Sequence, residues 1–173
     1  SLRTEPTVLV SIEERHETNT RKYQSLFNSI RDAILVADTQ RRIIDCNPAF
    51  TELFGYRLKE IQGKQTYSVY SSMDEFEQMG QAIEDHAGSL SDFLYTIHYQ
   101  KRDGSIFPGE TNVFYLHNDD GALIGFIGLI RDITEGRRME AELKEQEENL
   151  RITLNSIGDA VFSTDLEGRV VRM

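Results

Sequence analysis

The order of apolar runs predicts an α+β fold: a strand pair, a set of short helices, then three antiparallel strands. Three observations carry this prediction. β-Branched runs at Ala33–Asp38 and Arg42–Cys46 flank the polar Thr39-Gln40-Arg41 turn. Asn47-Pro48 opens a helix that Gly55 closes. Two Asp-Gly pairs, Asp103-Gly104 and Asp120-Gly121, separate three long apolar runs, and that dipeptide between such runs is a strong hairpin signal.

Each element follows from local chemistry. Residues from about 10 to 30 read as a polar helix with a late apolar side, Ile12, Tyr23, Leu26, Phe27 and Ile30, and a solvated run at Glu13–Glu17. The strand pair at 33–46 is a hairpin. Asn47 is suited to cap the next helix, with Pro48 at its first position, where a missing N–H costs nothing. Phe50, Leu53 and Phe54 share one side of that helix, and a further helical turn runs from Leu58 to Ile61. Phe76, Met79 and Ile83 recur at helical spacing over about 73–87. Strands are expected at Ser91–Lys101, Ile106–His117 and Leu123–Thr134. The last of these is apolar on both faces, so a partner subunit or the N-terminal helix has to cover its second face.

Composition narrows the function. The chain has 173 residues, 39% hydrophobic and 28% charged, enough for one domain with additions. Net charge is −10, split as +1 over residues 1–31, −8 over 32–134 and −3 over 135–173. No region has the cationic surplus that a nucleic-acid backbone or an anionic lipid surface attracts. The lone Cys46 points to a reducing, cytoplasmic setting rather than a disulfide scaffold. No apolar run is long enough to cross a membrane.

After Thr134 the composition becomes helical and charge-laced. Met139, Leu143, Gln146, Leu150, Thr153 and Ile157 are spaced four and three apart, a modest heptad seam that marks either a coiled coil or a solvated linker helix. Asn28-Ser29-Ile30-Arg31-Asp32-Ala33 returns as Asn155-Ser156-Ile157-Gly158-Asp159-Ala160, and 7 of 21 positions are identical between 26–46 and 153–173. The organisation expected is a flanking helix at 1–22, a domain at 23–135, a helical linker at 136–152 and the start of a second copy, one hairpin long, at 153–173.

Several stretches together resemble the PAS sensory domain with its C-terminal PAC segment. They are Leu26–Ile30, Ile43–Asn47 with Pro48-Ala49-Phe50, Leu53–Tyr56, Glu60–Lys64, Arg102–Ser105, and Gly125–Gly128 leading into Arg131–Glu135. The resemblance implies a five-stranded antiparallel sheet with short helices on one face of a small cavity. It also implies a cytoplasmic sensory and dimerisation module that relays a cue to an effector in the same chain, a histidine kinase or a cyclic-di-GMP enzyme. Asp132 and Thr134 would couple the sheet to the following helix, whose seam residues Met139, Leu143 and Leu150 resemble a signalling helix.

The same resemblance argues against two cofactors. Flavin photoreceptors of the family carry their reactive Cys in an Asn-Cys-Arg setting, whereas Cys46 here ends a strand before Asn47-Pro48. Haem sensors place a His where this chain has Phe76, and His86 lies a few turns later. His16, His86, His98 and His117 have no metal-ligand spacing, so no metal is expected.

The cavity lining expected from strand alternation and the resemblance includes Phe93, Tyr95, Gly109, Thr111, Val113, Phe126 and Gly128, with Tyr67 and Tyr70 at the mouth and the Tyr95 and Thr111 hydroxyls as anchors. Small Gly109, Thr111 and Gly128 either leave a ligand pocket or let neighbouring rings fill the core. A small enzyme using Asp38, Asp45 or Asp132 is the rival reading, but no His or Lys pairs with these carboxylates at catalytic spacing.

Overall fold

The structure is a computed structural model that describes residues 6–87 and 93–161. The chain divides after Ile133 into two units. The first holds helix α1 (Pro6–Ser29), strands β1 (Ala33–Asp38) and β2 (Ile43–Cys46), and helices α2 (Pro48–Phe54) and α3 (Leu58–Ile61). A single 3-10 turn at Thr66–Val69, helix α4 (Met73–Asp85) and strands β3 (Phe93–Gln100), β4 (Ile106–His117) and β5 (Leu123–Asp132) complete it. The second unit is helix α5 (Thr134–Val161).

The five strands form one antiparallel sheet in the order β2-β1-β5-β4-β3. Asn47 locks its start. The Asn47 side chain caps α2 by accepting from the Phe50 N–H, also accepts from the Ile34 N–H, and donates to the Asp32 carbonyl. One fully buried amide therefore fixes both β1 and α2. Gly55 ends α2 at φ 82°, a left-handed conformation that glycine reaches without strain.

Helices α2, α3 and α4 pack on one sheet face. Phe50 and Phe54 of α2 stack at 4.3 Å, and Phe54 meets Tyr99 and Phe107 edge-on at 5.6 and 5.3 Å. Each such buried ring contributes roughly 2–3 kcal/mol of apolar burial. Met79 and Ala82 of α4 join the same core. On the other face Phe114, Ile127 and Leu129 are half-buried and Leu94 is 58% exposed. Along α1 Leu9, Ile12, Tyr23 and Leu26 are exposed, and among its described side chains only Phe27 is half-buried.

The last strand was expected to run to Thr134, but β5 stops at Asp132 and Thr134 opens α5. β3 is described from Phe93, and the expected Ser91 start lies outside the described residues. α5 continues through 153–161; its residues 153–156 correspond to the helical 26–29 of α1, and 160–161 to the strand residues 33–34. In the first copy Ala33 and Ile34 are strand because they pair with Ile130 and Leu129 of β5. Their counterparts Ala160 and Val161 carry no such pairing and stay helical. The hairpin expected beyond them lies outside the described residues.

Candidate functional site

The site begins at the β1–β2 turn. Asp38 Oδ1 accepts from the Gln40 and Arg42 N–H groups at 2.9 Å each, which bends the chain so that Arg41 takes φ 60°. That places a non-glycine residue in the left-handed region, at a cost of about 1–2 kcal/mol. The Arg41 side chain runs inward to α4. Its Nη1 donates to the Phe76 carbonyl at 2.7 Å, and the guanidinium carbon lies 3.7 Å from the Phe76 ring centroid and 5.4 Å from that of Tyr70. Gly80 makes room for it: a Cβ there would sit 2.9 Å from Nη1. Arg41 forms no ion pair among the described residues, and its buried Nη2 has no hydrogen-bond partner.

The segment after α3 returns alongside this turn. The Ile43 N–H donates to the Lys64 carbonyl and the Thr66 N–H to the Arg41 carbonyl, both at 2.9 Å. Thr66 is thereby held beside Arg41, 5% exposed, with its hydroxyl buried and also without a partner.

These residues wall a cavity of about 40 Å³ between the sheet and α4. Its polar side is Arg41, Thr66, Tyr70, Tyr99 and Thr111. Its apolar side includes Leu35, Met79, Ile83, Val113 and Phe126, with Gly128 beneath. The hydroxyls on the sheet side are already engaged. Thr111 Oγ1 donates to the Gly109 carbonyl, so Tyr99, 2.8 Å away, is the donor to Thr111. Burial pushes the Tyr99 phenol well above its ordinary range and that of Tyr70 up too, the latter eased by the Arg41 guanidinium. Both stay protonated at neutral pH.

Of the expected lining, Thr111, Val113, Phe126 and Gly128 face this cavity, and so does Tyr70. Tyr67, Phe93 and Tyr95 do not. Tyr67 is 43% exposed with its ring edge-on to Phe76, because Tyr70 rather than Tyr67 points inward from the single 3-10 turn. Phe93 and Tyr95 sit toward the start of β3 against His86. The anchor expected at Tyr95 is supplied by Tyr99, four residues on and on the same strand face. Gly109 does not open the cavity, since the Tyr99 ring occupies its missing volume, 2.6 Å from where a Cβ would stand. Asp132 is the last residue of β5 and Thr134 the first of α5. Met139, Leu143 and Leu150 are all more than half exposed along α5.

Arg41, Thr66 and Gly80 were not singled out from the sequence. One available signal is Gly80 itself, a helix-weakening residue inside a strongly periodic segment.

Neither Cys46 nor His86 lines this cavity. Cys46 is buried at the end of β2, 4.0 Å from the Thr51 hydroxyl and outside the cavity wall, and burial raises its thiol pKa away from a reactive thiolate. His86 ends α4 with Nδ1 2.8 Å from the Ala82 carbonyl and its ring stacked on Phe93. Among the described residues no group of three or more His, Cys, Asp or Glu side chains is placed to hold a metal ion.

Comparison with known proteins agrees with this architecture. The sequence pattern of the PAS domain matches residues 31–135. A nitrogen fixation regulatory protein of Klebsiella oxytoca is 26% identical over 142 residues, 80% of this chain and 28% of that protein. Blue-light-activated histidine kinase 1 of Erythrobacter litoralis is 28% identical over 151 residues, 80% of this chain and 42% of the kinase. The chain thus spans well under half the length of these relatives. A PAS domain from Colwellia psychrerythraea superposes with a TM-score of 0.62 at 23% identity, over 67% of this chain and 98% of that one. With this sheet order, helix set and cavity, and the pattern matched across most of the first unit, the chain belongs to the PAS domain family.

Proposed function

We propose that this chain is the ligand-reading module of a larger cytoplasmic signalling protein, with no reaction of its own. It senses a small molecule in the cavity and relays its state through α5 to an effector in the same polypeptide, a histidine kinase or a cyclic-di-GMP enzyme. The observation that carries this reading is continuity. β5, which lines the cavity with Phe126, Gly128 and Ile130, ends at Asp132, one residue before the 28-residue α5. Strand displacement at the cavity therefore acts on the start of a long helix. The intervening Ile133 N–H is held by the Pro108 carbonyl of β4 at 3.1 Å.

The active form is a homodimer paired along α5. Met139, Leu143, Leu150 and Ile157 are between 53% and 61% exposed and share a heptad seam. Leu143→Asp together with Leu150→Asp should turn the dimer into a monomer by light scattering; an unchanged mass would move the interface elsewhere. Native mass spectrometry of freshly purified protein tests the sensing step: an added mass lost on denaturation supports an occupied cavity. A bare protomer mass that no small molecule changes would favour a pure interaction module. Its supporting observation is the outward sheet face carrying Leu94, Phe114, Ile127 and Leu129.

A further inference from the structure

We propose that the cavity binds a small organic monocarboxylate, received at its charged end by Arg41 and Thr66. The inference rests on the cavity being the sensory site and names what enters it. Two buried polar atoms lack hydrogen-bond partners among the described residues, Arg41 Nη2 and Thr66 Oγ1, and both residues line this one cavity. An unmet buried donor is costly, more so on a cation, and proteins rarely leave two together unless something else completes them. Nη2 can only donate and the Thr66 hydroxyl can donate as well, so an acceptor completes both.

Charge selects an anion. The Arg41 guanidinium is a cation with no carboxylate partner among the described residues. Glu75, the acidic side chain that acts on neighbouring Tyr70, is held by His98 Nδ1 at 2.7 Å. One cation balances one negative charge. Inorganic phosphate, carrying between one and two negative charges and needing donors on all sides, would find few, Nη2 with the Thr66 and Tyr70 hydroxyls, because the Tyr99 and Thr111 hydrogens are committed elsewhere. The opposite wall, Met79, Ile83, Val113 and Phe126, suits a short alkyl tail. Size sets the upper limit: about 40 Å³ admits a molecule of a few heavy atoms, in the range of acetate to butyrate. Gly80 and the left-handed Arg41 are the structural means by which a guanidinium reaches this wall at all.

The test titrates the whole chain with sodium acetate, propionate and butyrate at constant ionic strength. Propionamide and inorganic phosphate serve as uncharged and over-charged counterparts. The expected result is saturable binding with a raised melting temperature for at least one carboxylate and neither counterpart. Arg41→Gln should weaken that binding about tenfold or more, the scale of a charge-assisted hydrogen bond. Thr66→Val, which keeps the guanidinium, should weaken it severalfold, with the near-ultraviolet tyrosine signal reporting an intact core in both variants. Equal binding of propionamide, undiminished binding by Arg41→Gln, or no binding of any carboxylate overturns the inference. The sensing role stands apart from that outcome, because it falls only if native mass spectra and melting curves respond to no small molecule of any charge.

Discussion

The turn joining β1 to β2 and the turn joining β4 to β5 are built from the same hydrogen bonds, yet one carries an arginine where the other carries a glycine. Asp38 N–H donates to Arg42 carbonyl and Arg41 N–H to Asp38 carbonyl; Asn118 N–H donates to Ala122 carbonyl and Gly121 N–H to Asn118 carbonyl. Asp38 Oδ1 and Asn118 Oδ1 each accept from the N–H groups two and four residues on. Arg41 at φ 60° matches Gly121 at φ 81°. Nothing lies within 4 Å of where a Cβ on Gly121 would stand, so that glycine serves the backbone alone. Arg41 accepts the backbone strain and offsets it through the Phe76 carbonyl, the Phe76 ring and the slot at Gly80. Two turns of one geometry thus separate what a fold needs, a left-handed residue, from what a site needs, a buried cation.

Substitution at the paired positions gives the largest effect. Arg41→Ala keeps the strain and loses a charge-assisted hydrogen bond and a cation–π contact, so it should destabilise the protein by about 2 kcal/mol. Arg41→Gly sheds the strain and should lose only about 1 kcal/mol. The difference, about 1 kcal/mol, should equal the cost of Gly121→Ala, because both compare alanine with glycine in one backbone conformation. Urea midpoints at constant m value measure all three. Unequal differences would mean that the two turns are not equivalent in strain.

A second pair of variants tests the slot. Gly80→Ala gains helix propensity, about 1 kcal/mol, but sets a Cβ 2.9 Å from Arg41 Nη1. In the Arg41→Gly background that gain should appear in full. In the native background the displaced guanidinium should cancel it, a coupling of about 1 kcal/mol. Additive effects would show that the guanidinium relocates freely and that Gly80 is not there on its account.

The same contrast explains what could be read from the sequence. Turns with glycine at the left-handed position announce themselves, and Asp103-Gly104 and Asp120-Gly121 place β3, β4 and β5 correctly. Asn47-Pro48 likewise marks the start of α2, since cap chemistry is local. The β1–β2 turn was legible as a turn but not as a site, because an arginine in a polar loop looks solvated and its inward course depends on α4, 35 residues away along the chain. One sequence clue does exist: at the 127-residue repeat offset Arg41 corresponds to Gly168, within Asp165-Leu166-Glu167-Gly168-Arg169. An arginine standing where the repeated segment has a glycine asks for a reason. The cavity lining was half legible for a related cause. Strand alternation gives the inward face of β4 and β5, but which rings of β3 reach the cavity depends on where α4 crosses it, and that moved the tyrosine from Tyr95 to Tyr99.

The third hairpin turn sets the smallest expected effect. Lys101 N–H donates to the Ser105 carbonyl and Gly104 N–H to the Lys101 carbonyl, with Gly104 at φ 88°, so its backbone repeats the other two. Its aspartate, however, sits one residue before the left-handed position and not at the head of the turn. Asp103 Oδ1 accepts from both the hydroxyl and the N–H of Ser105, and these bonds hold its carboxyl below the usual carboxylate range. A group whose folded pKa is depressed stabilises the fold above its unfolded value, and that contribution is lost as pH falls through the folded value, here below about pH 4. The carboxylate is fully exposed, so solvent screens it and the contribution is slight. Ser105→Ala should therefore narrow the difference in urea midpoint between pH 6 and pH 3 by a small amount, leaving Gly104 and the strand register untouched. An unchanged difference would mean that the Ser105 bonds to Asp103 add nothing to this turn, in contrast to the turns headed by Asp38 and Asn118, whose side chains each accept two backbone N–H groups.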